Sequence, residues 1–149
     1  MDVRIDEWLD RKGLLFLEHR RNGLLLAQLA VPNLITDAGR ALWANIGIGQ
    51  DTSPSHIALG TGTTAPAVGD TAMEAEVYRE AAVLSRVTIS VTNDGSQYLY
   101  TFTIDATYDI SEAGLLNDAV AGILSCHQVF TALPCLASDT LKVTWRVRN

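Results

Sequence analysis

From Leu141 to Arg148 the chain alternates without a break: Leu141, Val143, Trp145 and Val147 are apolar, while Lys142, Thr144, Arg146 and Arg148 are polar or charged. Successive side chains of a strand point to opposite faces, so this pattern is a strand with one wet side and one buried side. The same period occurs upstream. Tyr98, Tyr100, Phe102 and Ile104 alternate with Gln97, Leu99, Thr101 and Thr103. Before an Asn93-Asp94-Gly95 turn, Val87, Ile89 and Val91 alternate with Arg86, Thr88, Ser90 and Thr92. This predicts a hairpin with one buried face. The run from Ile123 to Thr131 is a further strand candidate.

The first half reads less regularly. Asn22-Gly23 lies between two apolar runs, and Asn-Gly is the strongest short signal for a two-residue hairpin turn, so a hairpin is expected from Leu14 to Val31, closed by Pro32. Leu14 to Leu17 and Leu24 to Leu26 are unbroken apolar runs, which puts apolar groups on both faces. A partner subunit or a helix of the same domain would have to cover the second face.

Thr36 is an N-cap candidate for a helix through Asp37, Arg40, Leu42, Trp43 and Ile46, stopped at Gly47. The capping-box spacing of Thr71 and Glu74 predicts a second short helix over Ala72 to Tyr78, with Glu74, Glu76 and Glu80 on a solvated face. Between a strand at His56 to Leu59 and that helix, Gly60 to Asp70 reads as a rigid structural loop. The expected fold is therefore mainly β: an antiparallel β-sandwich or barrel-like domain with two short helices.

Length and charge bound the rest. A chain of 149 residues makes one domain over residues 13–149. Residues 1–12 form an arm in which Ile5, Trp8 and Leu9 share a face if helical. A formal charge of −6 argues against broad attraction to nucleic acid or an anionic membrane. No run approaches the ~18 apolar residues of a membrane span. The first residues lack the basic start and apolar run of a secretory signal, so folding in a cytoplasm is expected, with Cys126 and Cys135 free.

No chemistry stands out. Gly60-Thr61-Gly62 invites comparison with phosphate cradles, but no GxxxxGK[ST] is present and no lysine lies nearby. His19, His56 and His127 are scattered, without the spacing of a metal site or a His-carboxylate pair. The two cysteines lack a CxxC spacing, Ser125-Cys126-His127 places neighbours on opposite faces of a strand, which disfavours a nucleophile and its base, and no serine lies in a GxSxG elbow. Neither a catalytic residue nor a cofactor or metal site is expected. Trp8, Trp43, Trp145 and the tyrosines offer one other reading, a carbohydrate-binding module that stacks sugars on aromatic rings.

The order NLITDAGR, HIALGTGTTAPAVGDTAMEAEVYR, ISEAGLLN and SDTLKVTWRV, across residues 33–147, resembles small structural proteins of tailed bacteriophage virions, the tail-collar fibre-like and capsid-associated group. Its most specific parts are Ala58 to Thr64, Thr71 to Arg79, and Glu112-Ala113-Gly114-Leu115, read as a turn. The resemblance implies a β-rich, non-catalytic virion subunit assembled in the host bacterial cytoplasm. It would be a homo-oligomer, with a trimer expected, whose partners are the major capsid protein or tail and neck proteins. The expected contacts are Trp8 in the arm and Leu14, Phe16, Leu24, Leu25 and Leu26 in the hairpin.

Overall fold

A computed structural model describes residues 12–148. Trp8 and the rest of the arm up to Arg11 lie outside the described residues. Lys12 already belongs to the first strand, β1 (Lys12–Arg21), which pairs antiparallel with β2 (Leu24–Ile35). Asn22 and Gly23 both take positive φ, 52° and 79°, as a two-residue turn of matching twist requires. The unbroken leucine run divides by parity. Leu15 and Leu17 are wholly buried, while Leu14 is exposed and Phe16 half-buried on the outer face.

Pro32 does not close β2, which continues to Ile35. The next strand on that side, β8 (Leu124–Cys135), pairs with β2 only at Leu34 and Ile35. Among the described residues Pro32 therefore has β1 as its sole neighbour, and a one-sided strand tolerates a residue without an N–H.

Thr36 caps helix α1 (Asp37–Gly47): its Oγ1 accepts from the Gly39 N–H at 2.9 Å and donates to the Leu124 carbonyl at 2.6 Å. The same hydroxyl thus starts the helix and pins it to β8. Leu42 and Trp43 are buried, and the helix packs chiefly on β8 rather than covering the hairpin. Its approach depends on Gly39, where an added Cβ would stand 2.2 Å from the Ser125 carbonyl oxygen. Gly39→Ala is accordingly expected to destabilise by about 1–3 kcal/mol despite alanine's better helix propensity. Urea denaturation tests this, and unchanged or raised stability would show that the helix can move off β8 freely.

The remaining strands are β3 (His56–Gly60), β4 (Glu76–Ala81), β5 (Val83–Val87), β6 (Gly95–Thr103), β7 (Tyr108–Leu116) and β9 (Thr140–Arg148). Together they form one antiparallel sheet in the order β4-β3-β7-β8-β2-β1-β9-β6-β5, curled until it nearly closes. It folds as two layers, β4-β3-β7-β8 and β2-β1-β9-β6-β5, joined by the end of β2. The edge strands β4 and β5 are separated in the chain by Ala82 alone. The mainly β, sandwich or barrel-like expectation holds.

Three local readings are overturned. Ala72 to Tyr78 is not a helix: Glu76 begins β4, and Tyr78 pairs with Leu59 of β3. Glu74 does not cap Thr71, because its carboxylate is taken by the Thr64 N–H at 2.8 Å and the Thr64 hydroxyl at 3.0 Å. Glu112 to Leu115 is not a turn but lies inside β7. Finally, the strand before β6 ends at Val87. Ile89 and Val91 lie in the β5–β6 loop, where the Asp94 carboxylate accepts N–H bonds from Ile89, Ser90 and Val91 at 2.7, 3.0 and 3.0 Å. A side chain that bonds its own neighbouring backbone competes with strand pairing, and here it prevails over the alternation. Among the described residues there is one helix, not two.

The alternation in β9 is carried through. Leu141, Val143, Trp145 and Val147 are all wholly buried, packed with Leu15, Leu17, Phe102 and Ile104. Burying Trp145 leaves its indole N–H without an acceptor among the described residues, a cost that the surrounding apolar contact offsets.

Candidate functional site

Two clusters of titratable side chains lie in the interior. In the first, β7 carries Glu112 into a fully buried position. Its Oε1 accepts N–H bonds from Gly62 at 3.2 Å and Ala75 at 2.7 Å. Its Oε2 accepts from the Glu74 N–H at 3.2 Å and lies 2.9 Å from His127 Nε2. Across the imidazole, Nδ1 is 2.8 Å from Asp70 Oδ2, which also accepts the Ala67 N–H at 2.9 Å. That N–H, together with His127, holds the Asp70 carboxyl below its ordinary range.

The glycines of the loop now have a reason. A Cβ on Gly60 or Gly62 would stand 2.5 or 2.6 Å from Glu112 Oε1. The Gly60-Thr61-Gly62 segment does wrap an anion, but the anion is the protein's own carboxylate. A buried carboxylate is tolerable only when donors surround it, and the loop supplies three. Both nitrogens of His127 face carboxylate oxygens, so with both carboxylates ionised the imidazolium satisfies the pair and a neutral ring leaves one without its donor. The cluster fastens the 61–75 loop to β7 and β8, and it leaves no ring nitrogen free to act as a base.

The second cluster joins the hairpin to the start of β9. Asp139 is 1% exposed. Arg21 Nε donates to its Oδ1 and an Arg21 terminal nitrogen to its Oδ2, both at 2.9 Å. Its Oδ2 also accepts the Leu136 N–H at 2.8 Å and lies 2.8 Å from His19 Nε2. Arg21 is the main reason the Asp139 carboxyl is held well below its ordinary range.

Cys135 lies beside this group, and donor atoms of His19, Cys135 and Asp139 lie within 4.8 Å of one another. A histidine neighbouring a cysteine is a contact the chain spacing hid. The donor types suit zinc, yet Arg21 already holds the cation position on Asp139 with two parallel bonds. Burial also pushes the Cys135 thiol up to about 11, which disfavours the thiolate that a metal needs. The residues present therefore form an internal ion pair, complete without a metal. Cys126, also a free thiol, is pushed up to about 12 by burial.

Comparison of the chain with family models, with curated proteins and with solved structures finds no match. The site must be argued from the residues themselves.

The surface places the expected contact residues in two groups. At the hairpin tip Leu24, Leu25 and Leu26 are exposed, Leu24 by 68%. On the outer face of the five-stranded layer, cross-strand register lines up Ala30, Phe16, Thr144, Leu99 and Val83 in a single row across β2, β1, β9, β6 and β5. Leu14 stands in the adjoining row beside Pro32 and Arg146. The row unites Phe16 with Leu99 and Val83, which the sequence reading did not select. Trp43 and Trp145, expected as sugar-stacking rings in the binding-module reading, are core residues and present no face to a ligand.

The interior clusters escaped the sequence reading because their members are far apart: Asp70 and His127 are 57 positions apart, Glu112 and His127 15, and His19 and Asp139 120. An acid in an otherwise apolar strand was the one available signal. ISEAGLL contains such a residue at Glu112.

Proposed function

We propose that the protein is a non-catalytic structural subunit of a tailed-phage virion, acting as a capsid decoration (cement) protein and located in the particle. The observation that carries this reading is apolar surface turned outward: Phe16, Leu99 and Val83 in one cross-strand row interrupted by Thr144, with three leucines at a hairpin tip. A chain with a well-filled interior gains nothing within itself from such a surface, whereas contact with a neighbour would bury it. The resemblance across residues 33–147 supports the same class, and the interior histidines are committed to holding loops and strands. Such a subunit adds stability where copies join shell proteins, as a homo-oligomer for which a trimer is the expected form.

Stoichiometry in purified particles tests the proposal. Gel densitometry against the major shell protein is expected to give a fixed ratio near one copy per shell subunit, or a simple fraction of it. A ratio about a hundredfold lower would replace the cement role with a tail, neck or fibre-attachment role. Absence from particles would overturn both.

A further inference from the structure

Beside the start of β1 the outer face carries a hollow of about 500 Å³. Leu14 and Phe16 line it from β1, Ile89 from the β5–β6 loop, and Arg146 and Arg148 from β9. Leu14 is 37% and Ile89 45% exposed, so the hollow offers apolar surface under a basic rim. The rim is unusual in a chain of net charge −6. Arg146 lies 5.6 Å from the centre of the Phe16 ring and donates to Gln97 Oε1 at 2.8 Å. Among the described residues neither Arg146 nor Arg148 has a carboxylate partner. The occupant that fits is an apolar segment flanked by acids.

We propose that this hollow seats the chain's own N-terminal segment, residues 1–11. The sequence MDVRIDEWLDR interleaves Ile5, Trp8 and Leu9 with Asp2, Asp6, Glu7 and Asp10, four acids against the two bases Arg4 and Arg11. Trp8 stands five positions before Gly13, which itself borders the hollow. Five residues span at most about 17 Å, enough to fold back over Leu14 and Phe16. A tether this short gives the segment a high effective concentration at the hollow, on the order of millimolar or more, so a modest contact keeps it seated. An aromatic ring set among Leu14, Phe16 and Ile89, with acids facing Arg146 and Arg148, answers both the apolar and the charged character of the site. The inference does not depend on a role in virions.

Disulfide trapping in the full chain tests it. Ile5→Cys, Trp8→Cys and Leu9→Cys are each combined with Ile89→Cys or with Thr88→Cys, whose positions are exposed. Cys126 and Cys135 are buried and give little background, and single variants serve as controls. The expected result is an intramolecular crosslink in at least one pair, seen as monomer on a non-reducing gel and mapped by mass spectrometry. Its yield should fall severalfold when Arg146→Glu and Arg148→Glu are added. Crosslinks found only between chains would assign the hollow to the segment of a second copy and overturn the own-chain seat. No crosslink in any pair would overturn the proposal, and a yield indifferent to charge reversal would overturn the acid–base match.

Discussion

Glu112→Ala is expected to lower stability by about 3–5 kcal/mol, the usual result of removing one member of a buried charged set. The loss has identifiable parts. The N–H groups of Gly62, Glu74 and Ala75 lose their acceptor, and His127 keeps only Asp70. Each unpaired buried donor costs about 1–3 kcal/mol, less where water can enter the vacated space. The effect should also be local: the 61–75 loop should become open to proteolysis and rapid hydrogen exchange while β9 stays protected.

Glu112→Gln separates charge from volume. The amide oxygen can retain the Gly62 and Ala75 bonds, but the amide nitrogen then faces the Glu74 N–H, so an intermediate loss is expected. Gly62→Ala should resemble the alanine variant from the other side, because its Cβ would stand 2.6 Å from Glu112 Oε1. Wild-type stability and loop protection in Glu112→Ala would show that the carboxylate does not hold the loop.

Asp139→Asn is expected to cost about 3 kcal/mol or more at neutral pH, and the cost should fade in acid. In the folded protein Asp139 is held below its ordinary range, chiefly by Arg21. A group so depressed contributes its full stability above the unfolded value, about 3.9, and loses it as pH falls toward the folded one. The wild-type protein should therefore lose stability more steeply than the variant below about pH 5. The gap between them should be level from pH 7 to about pH 5 and narrow from there toward pH 2. Thermal melts across this range measure it, and a gap independent of pH would mean that packing, not the charge, is what Asp139 contributes.

The aspartate also explains a feature of the hairpin. Its side chain ties Arg21, at the end of β1, to the turn before β9, and β1 and β9 are neighbours along their whole length. Breaking the tie should loosen the hairpin tip, where Leu24, Leu25 and Leu26 project.

Elements written in local pattern were legible from the chain. The period-two run from Leu141 to Val147 is the buried side of β9, Asn22-Gly23 makes its turn, and Thr36 caps α1. Each depends on residues a few positions apart, whose geometry the backbone period sets regardless of what lies around them. Where a local pattern failed, a longer contact had displaced it. The Thr71–Glu74 box lost its glutamate to Thr64, and Tyr78 was drawn into pairing with β3.

The leucine runs show the boundary most plainly. Leu14 to Leu17 told of apolar groups on both faces, but not which face meets the core. Pairing with β9 decided that, by placing Leu15 opposite Trp145 and Phe16 opposite Thr144. What the sequence determined by itself was a mainly β domain with its turns, its helix cap and its buried alternating strand, because these follow from near-neighbour chemistry. Only the tertiary structure decided that Glu112, His127 and Asp70 meet, that Arg21 and His19 share Asp139, and that Phe16 joins an outer row with Leu99 and Val83. Those partners lie from 15 to 120 positions apart, and sheet register, not spacing along the chain, brings them within bonding distance.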